Sequence, residues 1–256
     1  VPPADAPAES DAAPPEPAHV PGDQGATAAP SAKGTEDTLD LKLTEELQAL
    51  IGEDRERAAA TGRGPAGELL GDPATWPAAA TEAGVFQLVP VVPERDLAVL
   101  SRWMNDPAVA AFWELAGPES VTADHLKPQL DGDGRSIPCL GVLDGTPMSY
   151  WEIYRADLDP LARHYPARLH DTGIHLLIGG VNNRGRGVGT TLLRAVADLV
   201  LDNLPQCGRV VAEPDLRNTP SVSAFLSAGF RFSAEVDLPD KRAALMIRDR
   251  TYRDHL

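Results

Sequence analysis

Glycine, arginine and threonine are concentrated in one short run, Asn182-Asn183-Arg184-Gly185-Arg186-Gly187-Val188-Gly189-Thr190-Thr191. The preceding Gly173-Ile174-His175-Leu176-Leu177-Ile178 reads as a strand, and Val188, Leu192, Val196 and Val200 then recur at helical spacing. A glycine-rich turn from strand to helix lets main-chain N–H groups converge on an anion. The first helical turn adds unpaired N–H groups and the positive end of its dipole. Arg184 and Arg186 add charge. The ligand expected for Arg184, Gly185, Arg186, Gly187, Val188, Gly189 and Thr190 is therefore a phosphate or pyrophosphate.

A nucleotide P-loop needs Lys followed by Ser or Thr after its last glycine, and Gly189-Thr190 has no Lys. A dinucleotide fingerprint needs Gly-x-Gly-x-x-Gly, which Gly185-Arg186-Gly187-Val188-Gly189 does not supply. Arg-x-x-Gly-x-Gly, at Arg184, Gly187 and Gly189, resembles the coenzyme A pyrophosphate loop of the GNAT N-acetyltransferases. Further motifs follow the same order as in the siderophore-biosynthesis branch of that superfamily. They are Trp103-Met104-Asn105-Asp106-Pro107, Phe112-Trp113, Tyr150-Trp151-Glu152-Ile153-Tyr154, Asp171-Thr172-Gly173-Ile174-His175, Glu213-Pro214-Asp215-Leu216-Arg217-Asn218 and Ala228-Gly229-Phe230. The resemblance spans about residues 85–250. It implies an acyl-CoA-dependent N-acyltransferase that acylates the hydroxylated side-chain nitrogen of N-hydroxylysine, N-hydroxyornithine or a related diamine.

Acyl transfer from a thioester needs a neutral nitrogen, a polarised carbonyl and a thiolate that can be protonated. In the expected strand, Ile174, Leu176 and Ile178 share one face and His175 points to the other. A histidine there can take up a proton near neutral pH. The resemblance implies that His175 acts on the substrate nitrogen and that Asp215 assists it or binds the acceptor. A core histidine and a turn carboxylate are the structural alternatives. Tyr150, Glu152 and Tyr154 fall on one strand face, where Glu152 could hold a substrate ammonium or join a cross-strand polar pair. Asn105 and Trp113 are expected to line the acceptor pocket, with core packing as the alternative for Trp113. Many superfamily members carry a tyrosine that protonates the thiolate. Counted back from Gly229-Phe230, that position here is Phe225, which leaves the proton to His175 or water.

These residues need elements to hold them. The pattern predicts a strand at 85–91, helices at 93–105 and 109–113, and another at 122–130. A strand pair at 137–143 and 148–154 follows, with Asp144-Gly145 as its turn. An irregular stretch at 155–171 is long enough to be a functional loop. The His175 strand, the glycine turn and a helix to about residue 204 come next. A short strand at 208–212, a helix at 218–228 ended by Gly229 and a closing pair at 230–236 and 243–248 complete the chain. The order is β-α-α-β-β-β-α-β-α-β-β, an α/β chain with the mixed, mostly antiparallel sheet of the GNAT fold.

Residues 1–40 are rich in Ala, Pro and acidic side chains and poor in apolar bulk, and a disordered tail is expected there. Leu43, Leu47, Leu50 and Ile51 predict a short amphipathic helix. Residues 61–84 read as linker with Trp76 as an anchor, so the catalytic domain is expected at 85–256. Residues 1–84 carry 16 acidic and 5 basic side chains against 22 and 18 in residues 85–256, so the negative charge belongs to the leading segment. Neither part has the basic footprint of a nucleic-acid binder. No apolar run is long enough to span a membrane, and the first residues show no secretory pattern. A cytoplasmic monomer or weak dimer is expected, with acyl-CoA as co-substrate, a small amine as acceptor and no metal. Cys139 and Cys207 lack metal-ligand spacing and are expected to be buried free thiols.

Three other functions compete. An aminoglycoside 6′-N-acetyltransferase would share the Trp103 and Tyr150 motifs and the glycine turn. A non-catalytic acyl-CoA-binding module would tolerate loss of His175 and Asp215. A protein N-acetyltransferase would need a groove that the 155–171 insertion is expected to narrow.

Overall fold

The computed structural model describes residues 69–180 and 184–255. The expected tail at 1–40 and the amphipathic helix near Leu47 lie outside the described residues, as do Asn182 and Asn183 of the glycine-rich run. The chain runs β1 (Ala79–Thr81), β2 (Gly84–Pro90), α1 (Pro93–Met104), α2 (Pro107–Trp113), α3 (Glu119–Leu130), β3 (Ser136–Leu143), β4 (Thr146–Arg155) and β5 (Thr172–Ile178). It continues with α4 (Val188–Asn203), β6 (Arg209–Ala212), α5 (Thr219–Ser227), β7 (Arg231–Asp237) and β8 (Arg242–Asp249). Among the described residues, no helix is long and apolar enough to cross a membrane.

The strands form one sheet in the order β1-β2-β3-β4-β5-β6-β8-β7. Every neighbouring pair is antiparallel except β5 with β6. This is the mixed, mostly antiparallel architecture expected. The domain boundary needs correction. Leu70 is fully buried, Trp76 is buried, and Ala79–Thr81 pairs with β2, so the sheet and its core begin before Val85. The alanines of β1 carry no strand signal of their own. The edge of β2 supplies their pairing, and local composition cannot report that.

Alternation along β5 sorts the two cores. Ile174 lies in the core under α4, with Leu176 and Ile178 packed against it, together with Leu192, Val196 and Val200 from that helix. Leu177 faces the other way, among Tyr150 of β4 and Leu100, Trp103 and Leu126 of α1 and α3. The 155–171 stretch is a packed piece of structure. It contains a single helical turn, Pro160–Arg163, and buries Leu161 and Tyr165 against Tyr154 and Val211. Cys139 and Cys207 are free and buried, as expected.

One feature of the sheet creates space. Strand β5 is paired with β4 along its whole length, from Thr172↔Arg155 to Ile178↔Ser149. Its parallel pairing with β6 covers only Thr172↔Val210 and Gly173↔Val211. Beyond Gly173 the two strands separate. The turn at 184–187 and the start of α4 lie on one side of the gap, and α5 lies on the other.

Candidate active site

The cross-strand register places Glu152 of β4 directly opposite His175 of β5. Glu152 Oε2 meets His175 Nδ1 at 2.8 Å. The other ring nitrogen, Nε2, is held by Oε1 of Glu213, just past the end of β6. His175 is therefore clamped between two buried carboxylates, with its side chain 35% exposed toward the cleft. Burial opposes charging of the ring, but Glu213 and Glu152 outweigh it and raise the His175 pKa to about 10. The same exchange holds Glu213 at about 2, against a burial effect in the opposite direction. At neutral pH the ring is an imidazolium that donates from both nitrogens.

Each carboxylate is braced by further donors. Glu152 Oε1 receives His125 Nε2 at 2.5 Å, Gln129 Nε2 at 2.8 Å and Tyr150 Oη at 2.9 Å. His125 and Gln129 stand four residues apart on α3, hence on one face, and Ser136 Oγ donates to Gln129 Oε1 at 2.8 Å. Burial pushes Glu152 upward, but the hydrogen bonds from His125 and His175 hold it well below the carboxylate range. Glu213 Oε2 accepts from Tyr154 Oη at 2.8 Å. The Tyr154 ring lies 4.7 Å from the His175 ring and crosses β5 at Gly173, where a Cβ would fall 2.0 Å from the tyrosine. Trp113, on α2, lies against Tyr150 at 5.6 Å between ring centres and stands nearly perpendicular to the rings of His125 and His175, each at 6.2 Å.

Several expectations change. Asp215 is not the partner of His175. Its carboxylate is filled by Arg217, with Oδ2 at 2.6 Å from Nη2 and Oδ1 at 2.7 Å from the Arg217 main-chain N–H. The partner is Glu213, two residues earlier. Asp215 still lines the pocket in front of His175. Asn105 is spent on the backbone: its amide donates to Ser101 O and Gly117 O and accepts from Gly117 N–H, all at 2.9 Å. It braces the turn between α2 and α3 and does not line the pocket. Glu152 does not stand free to receive an ammonium, since four donors already occupy it.

Two cavities meet at this point. The larger, about 850 Å³, runs along the separated edge of β5 and is lined by Gly185, Gly187, Gly189, Thr190 and residues of α2 and α5. The smaller, about 230 Å³, contains Glu152, His175, Glu213, Asp215, Phe225 and Lys241. They share Phe112, Trp113, Leu176, Asn218 and Ser221. The glycine turn fits an anion. Gly185 and Gly187 have φ of 71° and 79°, and a Cβ on either would meet nothing within 4 Å. The first α4 bond runs from Thr191 N–H to Gly187 O, so Val188, Gly189 and Thr190 have N–H groups without intrahelical acceptors. The side chain of Arg184 does something else. It donates to Ile178 O at 2.9 Å, Gly179 O at 3.1 Å and Asp106 Oδ1 at 2.9 Å, tying the turn to β5 and to the cap of α2. Arg186 is exposed, and Val188 packs on the core.

The Acetyltransferase (GNAT) domain family model matches residues 92–238. The chain belongs to the GNAT acetyltransferases. It is an acyl-CoA N-acyltransferase. Over 169 residues it is 37% identical to the lysine N-acyltransferase MbtK of Mycobacterium sp. (strain MCS), covering 66% of this chain and 69% of that protein. It is 37% identical to the N(6)-hydroxylysine O-acetyltransferase of Escherichia coli, over 62% of this chain and 50% of that one. Among solved structures it resembles an uncharacterized Bacillus halodurans protein, with a TM-score of 0.67 and 32% identity over 72% of this chain and 95% of that chain. The aminoglycoside acetyltransferase AAC(6')-Ib bound to coenzyme A and kanamycin shares the fold, with a TM-score of 0.57 and 24% identity over 66% and 98% of the two chains.

Proposed function

We propose that this GNAT enzyme transfers an acyl group from acyl-CoA to the hydroxylated side-chain nitrogen of a lysine- or ornithine-like diamine, in hydroxamate siderophore biosynthesis. The observation that carries the reading is the carboxylate–imidazolium–carboxylate array at the junction of the two cavities. The names of the relatives support the acceptor class, and the glycine turn supports the acyl donor.

Acyl-CoA supplies the thioester carbonyl, with its pyrophosphate on the N–H groups of Val188, Gly189 and Thr190. The acceptor nitrogen attacks that carbon, a C–N bond forms, the C–S bond breaks, and the nitrogen loses a proton while the sulfur gains one. A hydroxylamine is less basic than an alkylamine, so much of it is neutral at pH 7 and needs no base to become a nucleophile. The imidazolium gives a proton to the departing thiolate, and the neutral ring left behind takes up the proton lost by the nitrogen. Because both ring nitrogens already donate, His175 acts as an acid before it acts as a base, and Glu213 and Glu152 hold the ring through both steps. His125, 29% exposed, connects Glu152 toward solvent. Phe225 lines this pocket where other members place a tyrosine, which leaves the thiolate's proton to His175.

The test is steady-state thiol release with N-hydroxylysine and N-hydroxyornithine, each against its unhydroxylated parent and against kanamycin. Faster turnover of a hydroxylamine is expected. Faster turnover of kanamycin would replace this reading with the aminoglycoside one, and faster turnover of the parent amines would overturn the hydroxylated acceptor.

A further inference from the structure

The donors and acceptors of the smaller cavity can be balanced group by group. Glu152 is filled by four donors. Asp215 is filled by the guanidinium and main-chain N–H of Arg217. Glu213 takes the imidazolium on one oxygen and Tyr154 on the other. Every carboxylate on the wall is already satisfied, so the cavity has little to offer an incoming cation.

Lys241 is different. It lies between β7 and β8, lines the cavity and is 24% exposed. Its nearest carboxylate oxygen, Glu213 Oε1, stands at 3.6 Å, an ion-pair separation too long for a hydrogen bond. An ammonium has three donors. The charged group with donors to spare is thus a cation, and it faces the space in front of His175.

We infer that Lys241 is the anchor for the α-carboxylate of the acceptor, so that the substrate is a hydroxylated diamino acid and not its decarboxylated diamine. This rests on the proposed hydroxylamine acyltransferase reading. Glu213 and Asp215 beside Lys241 repel a multiply charged anion, which favours a single carboxylate over a phosphate. His175 and Lys241 both face Oε1 of Glu213. The reacting end and the anchored end are therefore set a few ångströms apart, on the scale of an amino-acid side chain. A polycationic aminoglycoside would have to bring its charges up to Lys241.

The experiment compares kcat/KM for N6-hydroxylysine and for N-hydroxy-1,5-diaminopentane in the wild type, Lys241→Met and Lys241→Arg, with melting curves to verify folding. The wild type should prefer the amino acid by roughly ten- to a hundredfold, the worth of one hydrogen bond between charged groups. In Lys241→Met the preference should vanish, chiefly through a raised KM for the amino acid, and Lys241→Arg should restore most of it. A wild type without preference, or a Lys241→Met variant that loses equally on both acceptors, would show that Lys241 only balances Glu213. Turnover of kanamycin with neither hydroxylamine accepted would remove the underlying reading as well.

Discussion

Glu213 and Asp215 stand two residues apart, and it is Glu213 whose carboxylate closes on His175 Nε2 while Asp215 turns to Arg217. Glu213→Gln removes a charge from the clamp and His175→Ala removes its centre. Each should lower turnover by roughly 10²–10⁴-fold, the usual worth of a positioned acid–base group, with acyl-CoA affinity nearly unchanged by calorimetry. Asp215→Asn should cost less in kcat and act mainly on acceptor KM. If Asp215→Asn proves as damaging to kcat as Glu213→Gln, the division of roles drawn from the geometry is wrong.

The clamp also sets a pH window for stability. His175 has its pKa raised from 6.5 to about 10, so its contribution is complete below about 6.5 and is lost as pH rises toward 10. Glu213 is lowered from 4.5 to about 2, so its contribution is complete above about 4.5 and is lost as pH falls toward 2. Both are complete between those two ordinary values. The wild-type melting temperature should decline on either side of that interval, and Glu213→Gln should flatten both arms. Parallel melting profiles for the two proteins from pH 3 to 10 would count against the clamp.

Gly189 allows a cleaner test of the pyrophosphate loop than Gly187. Valine at Gly187 would have to adopt a φ of 79°, so strain would accompany any effect on the ligand. A Cβ on Gly189 meets only Ile178, at an ordinary 3.8 Å. Gly189→Ala should raise stability by about 0.5–1 kcal/mol through helix propensity. It should weaken acyl-CoA binding about tenfold by crowding the N–H groups that face the phosphates. Unchanged affinity in isothermal titration would place the pyrophosphate elsewhere.

The residues before β2 should matter to folding. Leu70→Ala and Trp76→Ala each empty a buried site and should destabilise by about 2–5 kcal/mol in denaturant titrations. Deletion of residues 1–40 should leave the melting temperature nearly unchanged, because that composition has little apolar surface to contribute. A small effect of both core substitutions would return the boundary to Val85.

What could be read from the sequence follows the range of each interaction. His175 was legible because strand alternation is local: Ile174, Leu176 and Ile178 fix one face, so the histidine takes the other. The glycine turn was legible because strand, turn and helix adjoin in the chain. Glu213 was not, since a glutamate before Pro214 looks like a turn residue until β6 brings it 38 positions back to His175. His125 and Gln129 carried one usable sign, their i,i+4 spacing, but nothing local indicated that their face meets Glu152. The side-chain partners of Arg184 and Asn105 were not legible for one reason. Their donors suit a ligand as well as a main-chain carbonyl, and only the folded chain shows which is nearer.

The two-residue parallel seam between β5 and β6 has a mechanical consequence. It joins a five-stranded half-sheet to a three-stranded one by the shortest run of main-chain bonds at the junction, with α4 packed across both halves as a splint. With two paired residues there, the sheet is expected to bend most easily about Thr172 and Gly173. That axis passes beside His175. A ligand lying along the free edge of β5 and touching α5 would bridge the two halves, and filling the cleft is expected to stiffen the sheet.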